Sequence, residues 1–281
     1  METSPYISQT YTIGNYQEVT YVLQACNKET MMNGKVFIIG AGPGDPELLT
    51  LKAHRALMEA DCVVYDRLVS EEIMEIIPPV AQRYFAGKSC KQKAMTQDEI
   101  NSLLVTLAQQ GKCIVRLKGG DPLLFGRGSE EALELIKHQI PFEIIPGITS
   151  AQGCAASVGI PLTHRGLATS VRFFTGHRMS AEDAREELEL NWQSLADPDT
   201  TLVVYMGLAN LDVIATQLIK HGLSPDTPAA AIQEGTTSRQ KSVVSNLAGI
   251  AAEVKNAAFE PPSLIIIGRV AALAKELGLA V

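Results

Sequence analysis

Short apolar runs recur along the first half of the chain, each bounded by glycine, proline or polar residues. Four of these runs are long enough for a buried strand, at residues 36–39, 62–65, 113–117 and 142–145. Between them, apolar residues recur at intervals of three and four, which is the period of an amphipathic helix. Strands that alternate with helices predict an α/β domain with a mainly parallel sheet.

One of the helices carries clear start and stop signals. Thr96 and Glu99 have the spacing of a capping box, and Gly111 stands where a helix of ordinary length would end. The pattern therefore predicts a helix that begins after Thr96 and ends before Gly111.

The same alternation begins again after Pro146 and Gly147. Strands are predicted at residues 171–175, 202–206, 229–232 and 264–267, and helices at 211–221 and 271–277. We therefore predict two α/β domains, comprising residues 35–147 and 148–281.

Residues 1–34 do not follow this alternation. Tyrosines at positions 6, 11, 16 and 21 are spaced by five residues, which fits neither a helix nor a strand. We interpret the segment as a flexible N-terminal extension. An arm that packs on a partner subunit is the alternative.

Composition and charge narrow the class of protein. Of the 281 residues, 46% are apolar and 20% are charged, which is typical of a soluble globular protein. The net charge of −7 argues against nucleic acid as a partner, because binding phosphates requires a broad basic face. The longest uncharged run, residues 144–163, is interrupted by proline and glycine, so no membrane span is predicted.

Cysteine usage and the N-terminus predict a reduced, cytoplasmic protein. The five cysteines never occur in C-x-x-C spacing, so neither a disulfide framework nor a zinc site is predicted. The five histidines also lack metal-ligand spacing, and we expect no metal. No basic segment leads into an apolar stretch at the N-terminus, so no signal peptide is expected.

The first glycine-rich loop, residues 40–45, follows a predicted strand and precedes a predicted helix. It resembles the dinucleotide-binding fingerprint, which would indicate a nicotinamide-dependent oxidoreductase. Pro43 interrupts that fingerprint, and Asp45 would repel a pyrophosphate at the helix N-terminus. The loop is therefore weak evidence for NAD.

The second loop, residues 116–122, ends a predicted buried strand. Gly119 and Gly120 would let the backbone approach a ligand, and Asp121 could accept a hydrogen bond from an ammonium group or a ribose. A tight turn with a solvated Asp121 explains the same residues equally well.

Arg127 lies between two glycines, just before the predicted helix cap Ser129. Glu130 and Glu131 complement the dipole of such a helix, which is an ordinary structural role. Arg127 has no comparable local explanation, and a guanidinium suits a carboxylate. Further basic groups on other loops, such as Arg165, indicate an anion site.

Taken together, the motifs resemble one known family. GAGPGD, YDRLVS, RLKGGDP, FGRGSEE, PGITS, GIPLTHR, FTGH and YMG resemble the tetrapyrrole methylases, from about Lys35 to Leu279. GIPLTHR, YDRLVS and FGRG most resemble the members that methylate uroporphyrinogen III. The resemblance implies a two-domain α/β homodimer that holds S-adenosylmethionine in the cleft between its domains. It also implies methyl transfer to C2 and C7 of uroporphyrinogen III, giving precorrin-2 by way of precorrin-1, and S-adenosylhomocysteine.

The resemblance also implies roles for single residues. The positions that match the family's cofactor contacts are Pro43, Gly119, Gly120, Asp121, Leu124, Thr149, Ser150, Met206 and Gly235. The positions expected to face the tetrapyrrole are Arg127, Glu130, His164, Arg165 and Met206. The proposed acid–base pair maps to Asp66 and Lys88, and Arg127 and Glu130 join them as catalytic candidates. The family's usual Arg after the lysine, and a His a few residues on, are absent at residues 89–93.

Several alternatives stay open at this point. Asp66 can equally be a capping or hinge carboxylate after the second strand. The protein can also be a methylase of a later corrin precursor, an NAD-dependent oxidoreductase or a tetrapyrrole carrier without activity.

Overall fold

The computed structural model describes residues 6–11, 19–24, 34–87, 95–176 and 188–277. Two five-stranded sheets with helices form most of it, and a separate antiparallel pair consists of β1 (Tyr6–Tyr11) and β2 (Val19–Gln24). The five-residue spacing of the tyrosines predicted no strands in that segment. Both strands are rich in β-branched and aromatic residues, a strand preference that the spacing of the tyrosines did not reveal.

The first sheet is parallel throughout and has the strand order β5-β4-β6-β3-β7. Its strands are β3 (Lys35–Gly40), β4 (Cys62–Tyr65), β5 (Gln82–Phe85), β6 (Cys113–Lys118) and β7 (Phe142–Ile145). Its helices are α1 (Leu51–Met58), α2 (Glu71–Ile76), α3 (Gln97–Gln109) and α4 (Gly128–Lys137). The four strands predicted for this half are confirmed, whereas β5 was missed.

Helices cover both faces of this sheet, as a parallel sheet requires. Ile38 and Ile114 pack in one core with α3 and α4, while Ile39 and Leu117 pack in a second core with α1 and α2. The capping box of α3 is confirmed, because the side chains of Thr96 and Glu99 each bind the other's backbone N–H.

The second sheet is mixed and has the order β11-β10-β12-β9-β8, in which only β8 and β9 are parallel. Its strands are β8 (Ser170–Thr175), β9 (Thr200–Tyr205), β10 (Pro228–Gln233), β11 (Lys241–Asn246) and β12 (Ser263–Ile267). The helices of this half are α5 (Ser150–Ser157), α6 (Trp192–Leu195), α7 (Leu211–Lys220), α8 (Ile250–Asn256) and α9 (Leu273–Leu277). All four strands predicted here are confirmed, and β11 was missed.

The chain passes from one sheet to the other between β7 and α5. Residues of α5 such as Ala151 and Ala155 are buried against Val203 and Ile232 of the second sheet. The carboxyl edge of the first sheet therefore faces the start of a helix that belongs to the second core. In the ranges given above, no helix is both long and apolar enough to cross a bilayer.

Candidate active site

The two glycine-rich loops lie side by side at the carboxyl edge of the first sheet. The N–H of Gly120 donates to the carbonyl of Gly42 over 2.6 Å, and the N–H of Gly42 donates to the carbonyl of Gly120 over 3.1 Å. This contact follows from the fold, because the loops leave the neighbouring strands β3 and β6. The carboxyl ends of parallel strands are where α/β sheets bind their ligands.

Three glycines bring three loops together at this edge. A Cβ added to Gly40 would lie 2.5 Å from the carbonyl oxygen of Gly120 and 2.5 Å from the nitrogen of Gly147. A Cβ on Gly147 would lie 2.3 Å from the same carbonyl oxygen. Gly120 has φ +68°, and a Cβ there would meet Ser150, with its Oγ at 3.5 Å. Gly120 therefore faces the start of α5.

The Asp121 carboxylate joins two of these loops. Its Oδ1 accepts from the N–H of Leu123 at 2.9 Å, and its Oδ2 accepts from the N–H of Gly147 at 3.2 Å. Asp121 therefore stabilises a turn, which is one of the two roles that the sequence allowed for it. Each carboxylate oxygen can accept a further hydrogen bond, so the turn does not prevent Asp121 from binding a ligand.

Pro43 and Gly235 both pack against α5. A Cβ on Gly153 would lie 2.4 Å from the ring of Pro43, and a Cβ on Gly235 would lie 2.3 Å from Sγ of Cys154. Burial raises the pKa of the Cys154 thiol to about 12, which makes it a poor nucleophile. These contacts hold loops from both sheets against one helix. They are packing contacts, so the cofactor role of Pro43 and Gly235 stays a prediction.

The N-terminus of α5 is fixed by two side chains. Thr149 is the N-cap, and its Oγ1 accepts from the N–H of Gln152 at 3.2 Å. The hydroxyl of Tyr205, at the end of β9, accepts from the N–H of Ala151 at 3.1 Å. Burial raises the pKa of Tyr205. Ser150 lies between these two anchored positions and opposite Gly120.

An aromatic contact joins the two halves beside this helix. The ring centroid of Phe125, on the loop after β6, lies 4.8 Å from that of Tyr205. Met206 follows Tyr205, and its side chain is 52% exposed. Phe125 and Tyr205 were not among the predicted site residues, although both stand in motifs that carry the resemblance, FGRGSEE and YMG.

Left-handed backbone conformations concentrate around the same loops. Of seven non-glycine residues with positive φ in the described ranges, five lie on the loops that follow β6, β9 and β10, with φ between 45° and 68°: Phe125, Arg127, Met206, Glu234 and Thr236. Such conformations cost free energy in an L-residue and are enriched at functional sites. Their clustering supports a binding role for this cleft.

Arg127 has a local partner, contrary to the expectation from sequence. Its Nε and one terminal nitrogen donate to the two carboxylate oxygens of Glu130, at 2.8 and 2.7 Å. This hydrogen bonding lowers the pKa of Glu130. Ser129 is not the cap, because α4 begins at Gly128 with Arg127 as its N-cap and without a side-chain cap bond. Both charged side chains remain about half exposed, at 50% and 49%.

Asp66 lies at the same edge of the sheet, after β4. Its Oδ1 accepts from the N–H of Leu68 at 3.0 Å, and its Oδ2 lies 3.5 Å from a terminal nitrogen of Arg116. A Cβ on Gly119 would lie 2.6 Å from Cβ of Leu68. Gly119 is therefore required for close packing on the Asp66 segment, and Asp66 stays 24% exposed.

Glu131 lies in the first turn of α4, as the helix-dipole interpretation expects, but its side chain also enters a buried ion-pair cluster. Its side chain is 0% exposed, and its Oε1 accepts from Arg116 at 2.9 Å and from Lys118 at 3.1 Å. The sequence held one signal for this arrangement. Arg116 and Lys118 follow Ile114 at two-residue spacing on a buried strand, which places all three on the same face of the sheet.

The remaining candidates are spread more widely. His164 and Arg165 lie exposed on the loop between α5 and β8, where Nδ1 of His164 is 2.9 Å from the carbonyl oxygen of Arg165. Leu124 is half-buried beside the second glycine loop. Lys88 lies outside the described residues. Within those residues, no group of three or more His, Cys, Asp or Glu side chains could hold a metal ion.

Comparison with known proteins identifies the family. The family described as Tetrapyrrole (Corrin/Porphyrin) Methylases matches residues 35–251. A siroheme synthase of Pseudomonas fluorescens is 51% identical over 244 residues, which cover 87% of this chain and 52% of that protein. The S-adenosyl-L-methionine-dependent uroporphyrinogen III methyltransferase of Arabidopsis thaliana, a chloroplast protein, is 51% identical over 240 residues, covering 85% and 64%. The chain thus spans about half the length of the first of these relatives.

A solved structure has the same fold. The uroporphyrin-III C-methyltransferase of Thermus thermophilus, complexed with S-adenosyl homocysteine, superposes with a TM-score of 0.70. It is 39% identical, and the match covers 84% of this chain and 93% of that one.

Proposed function

Because the chain belongs to the tetrapyrrole methylase family, we propose that it transfers methyl groups from S-adenosylmethionine to C2 and C7 of uroporphyrinogen III. The products are precorrin-2, formed by way of precorrin-1, and S-adenosylhomocysteine. One observation carries the proposal: the paired glycine loops face the anchored start of α5, in a fold whose solved relative holds S-adenosylhomocysteine. Because the match covers only 52% of the siroheme synthase, we propose methyl transfer alone for this chain.

The residues at the cleft fit an adenosyl cofactor. Gly120 presents bare backbone toward Ser150, and its φ of +68° disfavours any residue with a side chain, so the backbone itself is proposed to line this part of the cofactor site. Asp121 keeps acceptor capacity for a ribose hydroxyl or an ammonium group. Met206 offers an exposed, flexible thioether that can pack on the ligand. Pro43, Gly119, Leu124, Thr149 and Gly235 complete the proposed set.

When bound, the cofactor supplies an electrophilic methyl group on a sulfonium. The protein's task is to hold a pyrrole carbon of the substrate in line with the sulfur–methyl bond, because positioning supplies much of the rate. The pyrrole nitrogen already activates that carbon, so no covalent bond to the enzyme is needed.

Substrate carboxylates require cations in this acidic protein. Arg127 is half exposed and uses two of its five donors on Glu130, so the others remain for a substrate carboxylate. In this arrangement Glu130 fixes the direction of the Arg127 fork. His164 and Arg165 supply further positive or hydrogen-bonding groups from their exposed loop.

Asp66 is the best candidate for the base that removes a proton after methyl transfer. It lies at the carboxyl edge of the sheet, is partly exposed, and has each carboxylate oxygen oriented by one donor. A base contributes to rate only when it is positioned near the proton it removes. Lys88 is proposed as the second member of the acid–base pair, and this proposal rests on the family resemblance of the sequence.

The assembly and location are also proposals. We propose a homodimer in the cytoplasm with a small-molecule tetrapyrrole substrate. The net charge of −7 supports the absence of a nucleic-acid partner.

The decisive experiment incubates the protein with S-adenosylmethionine and uroporphyrinogen III without oxygen, and follows the product by mass spectrometry. We expect two added methyl groups and two molecules of S-adenosylhomocysteine for each substrate. A different methyl acceptor among corrin precursors would indicate a later methylase. Substrate binding without methyl transfer would indicate a carrier, and calorimetric binding of NAD would favour an oxidoreductase.

A further inference from the structure

We propose that Arg116, held in place by the buried carboxylate of Glu131, is a positioning residue for Asp66. This inference rests on the function proposed for Asp66. It concerns a cluster of four charged residues at the carboxyl edge of the first sheet: Arg116, Lys118, Glu131 and Asp66. None of the four belongs to the proposed set of cofactor contacts.

Each side of the Arg116 guanidinium has a defined partner. Nε donates to Glu131, one terminal nitrogen donates to the carbonyls of Val64 and Leu117 at 3.3 and 3.1 Å, and the other reaches Asp66 at 3.5 Å. The planar fork therefore connects a buried anion to the carboxylate at the edge of the cleft. Rotation of the guanidinium would break several of these contacts at once.

Burial shows which member meets solvent. The side chains of Arg116, Lys118 and Glu131 are 3%, 5% and 0% exposed, whereas Asp66 is 24% exposed. Two cations and two carboxylates balance the charge of the cluster. Burial lowers the pKa of Lys118, and the neighbouring Arg116 charge lowers it further. Asp66 is thus the end of the cluster that can reach a bound substrate.

The arrangement is costly for a purely structural element. Buried ion pairs often stabilise a fold no better than apolar side chains of similar volume. In the part of the chain that the structure describes, Oε2 of Glu131 has no hydrogen-bond partner, which adds a further cost. Apolar residues at these positions would continue the core of α3 and α4. A requirement to orient Asp66 explains why charged residues stand there instead.

The contact is tested by a double-mutant cycle on single-turnover methyl transfer. Arg116→Lys keeps the positive charge but loses the fork, and we expect methyl transfer to slow about tenfold. The KM for uroporphyrinogen III and the dissociation constant of S-adenosylhomocysteine should change less than twofold. In an Asp66→Asn background the same change should slow the reaction less than twofold, since the group it orients is already absent.

A matched control separates positioning from stability. Gln97→Leu removes another hydrogen bond to the same buried carboxylate, at 3.3 Å, from α3 and outside the second glycine loop, so the rate of methyl transfer should be retained. If Arg116→Lys does not fold, Glu131→Gln tests the same link from its other end and should also slow methyl transfer. Equal rate losses for the Arg116 or Glu131 variant and Gln97→Leu, or an undiminished loss in the Asp66→Asn background, would overturn the proposal. Failure of the proposed function would look different, because the unaltered protein would then form no methylated product.

Discussion

Arg127 and Glu130 form a two-bond ion pair on the first turn of α4, at the edge of the cleft. Arg127 holds this geometry from a left-handed backbone conformation, with φ 59°. An exposed ion pair contributes little to stability. The strained backbone and the open position are therefore better explained by a binding task than by stabilisation of the helix.

We expect Arg127→Lys to fold and to bind S-adenosylhomocysteine normally, yet to methylate uroporphyrinogen III ten- to a hundredfold more slowly. Lysine keeps the charge but cannot grip two carboxylates with a planar fork, and losing one charge-assisted contact costs about 1.5–3 kcal/mol. Single-turnover methyl transfer at saturating cofactor measures the effect. Lys137→Ala removes the ion pair at the other end of the same helix and should leave the rate unchanged. Full activity of Arg127→Lys would refute the substrate role.

We expect Gly120→Ala to raise the dissociation constant of S-adenosylhomocysteine at least tenfold. The added methyl group would contact Ser150 and project from the loop surface that is proposed to hold the ligand. Gly111→Ala is a matched control, because Gly111 has a similar φ of +75° and nothing within 4 Å of an added Cβ. Each change should cost about 1–2 kcal/mol of backbone strain. Isothermal titration calorimetry beside thermal melts distinguishes them, and equal affinities for the two variants would exclude this loop as the cofactor cradle. The bulkier Gly120→Val should abolish binding.

We expect Met206→Ala to raise the KM for S-adenosylmethionine severalfold while the melting temperature changes little. Its side chain is half exposed, so truncation removes little core packing. Val213, on α7, is exposed to a similar degree, and Val213→Ala should leave the KM unchanged. A large melting loss with normal kinetics would assign Met206 to the core instead.

Stability should depend on pH through Glu143, on β7. Hydrogen bonds from Lys35 and then from Lys52 hold the pKa of this carboxyl below its ordinary value of 4.5. The stabilisation is therefore complete above pH 4.5 and is lost as the pH falls through the lower folded value. We expect Glu143→Gln to reduce the melting temperature at pH 7 by about 1–3 °C, from about 0.5–1 kcal/mol.

The same comparison at acidic pH completes the Glu143 test. The difference in melting temperature between Glu143→Gln and the unaltered protein should shrink progressively as the pH falls below 4.5, because the carboxyl group then takes up a proton. A difference that persists unchanged to pH 3 would assign the stabilisation to packing.

The strands that sequence reasoning predicted and those it missed differ in position. Six of the eight predicted strands lie inside the two large sheets, where neighbouring strands flank them on both sides. The two predicted at an edge, β7 and β8, still place apolar residues around a single charged one. The two missed strands of the two large sheets, β5 and β11, are both sheet edges with mostly partly exposed residues. An edge strand needs no continuous apolar run, so its sequence resembles that of a loop.

The sequence was sufficient to predict which loops form the candidate site, but not which charged side chains pair with each other there. Gly120, Asp121 and Ser150 belong to motifs, and the parallel sheet brings their loops together. Whether Glu131 points to the core and Glu130 to the cleft depends on the phase of α4 against the sheet. That phase is set by tertiary packing, and neighbouring glutamates in a sequence do not reveal it.

The contact among Gly40, Gly120 and Gly147 has a consequence for binding kinetics. Their backbones touch so closely that the three loops share the rigidity of strands β3, β6 and β7. A ligand that enters such a preformed surface gives up little chain entropy of the protein on arrival. Adenosyl ligands of different affinity should therefore associate at similar rates and differ mainly in how long they remain bound.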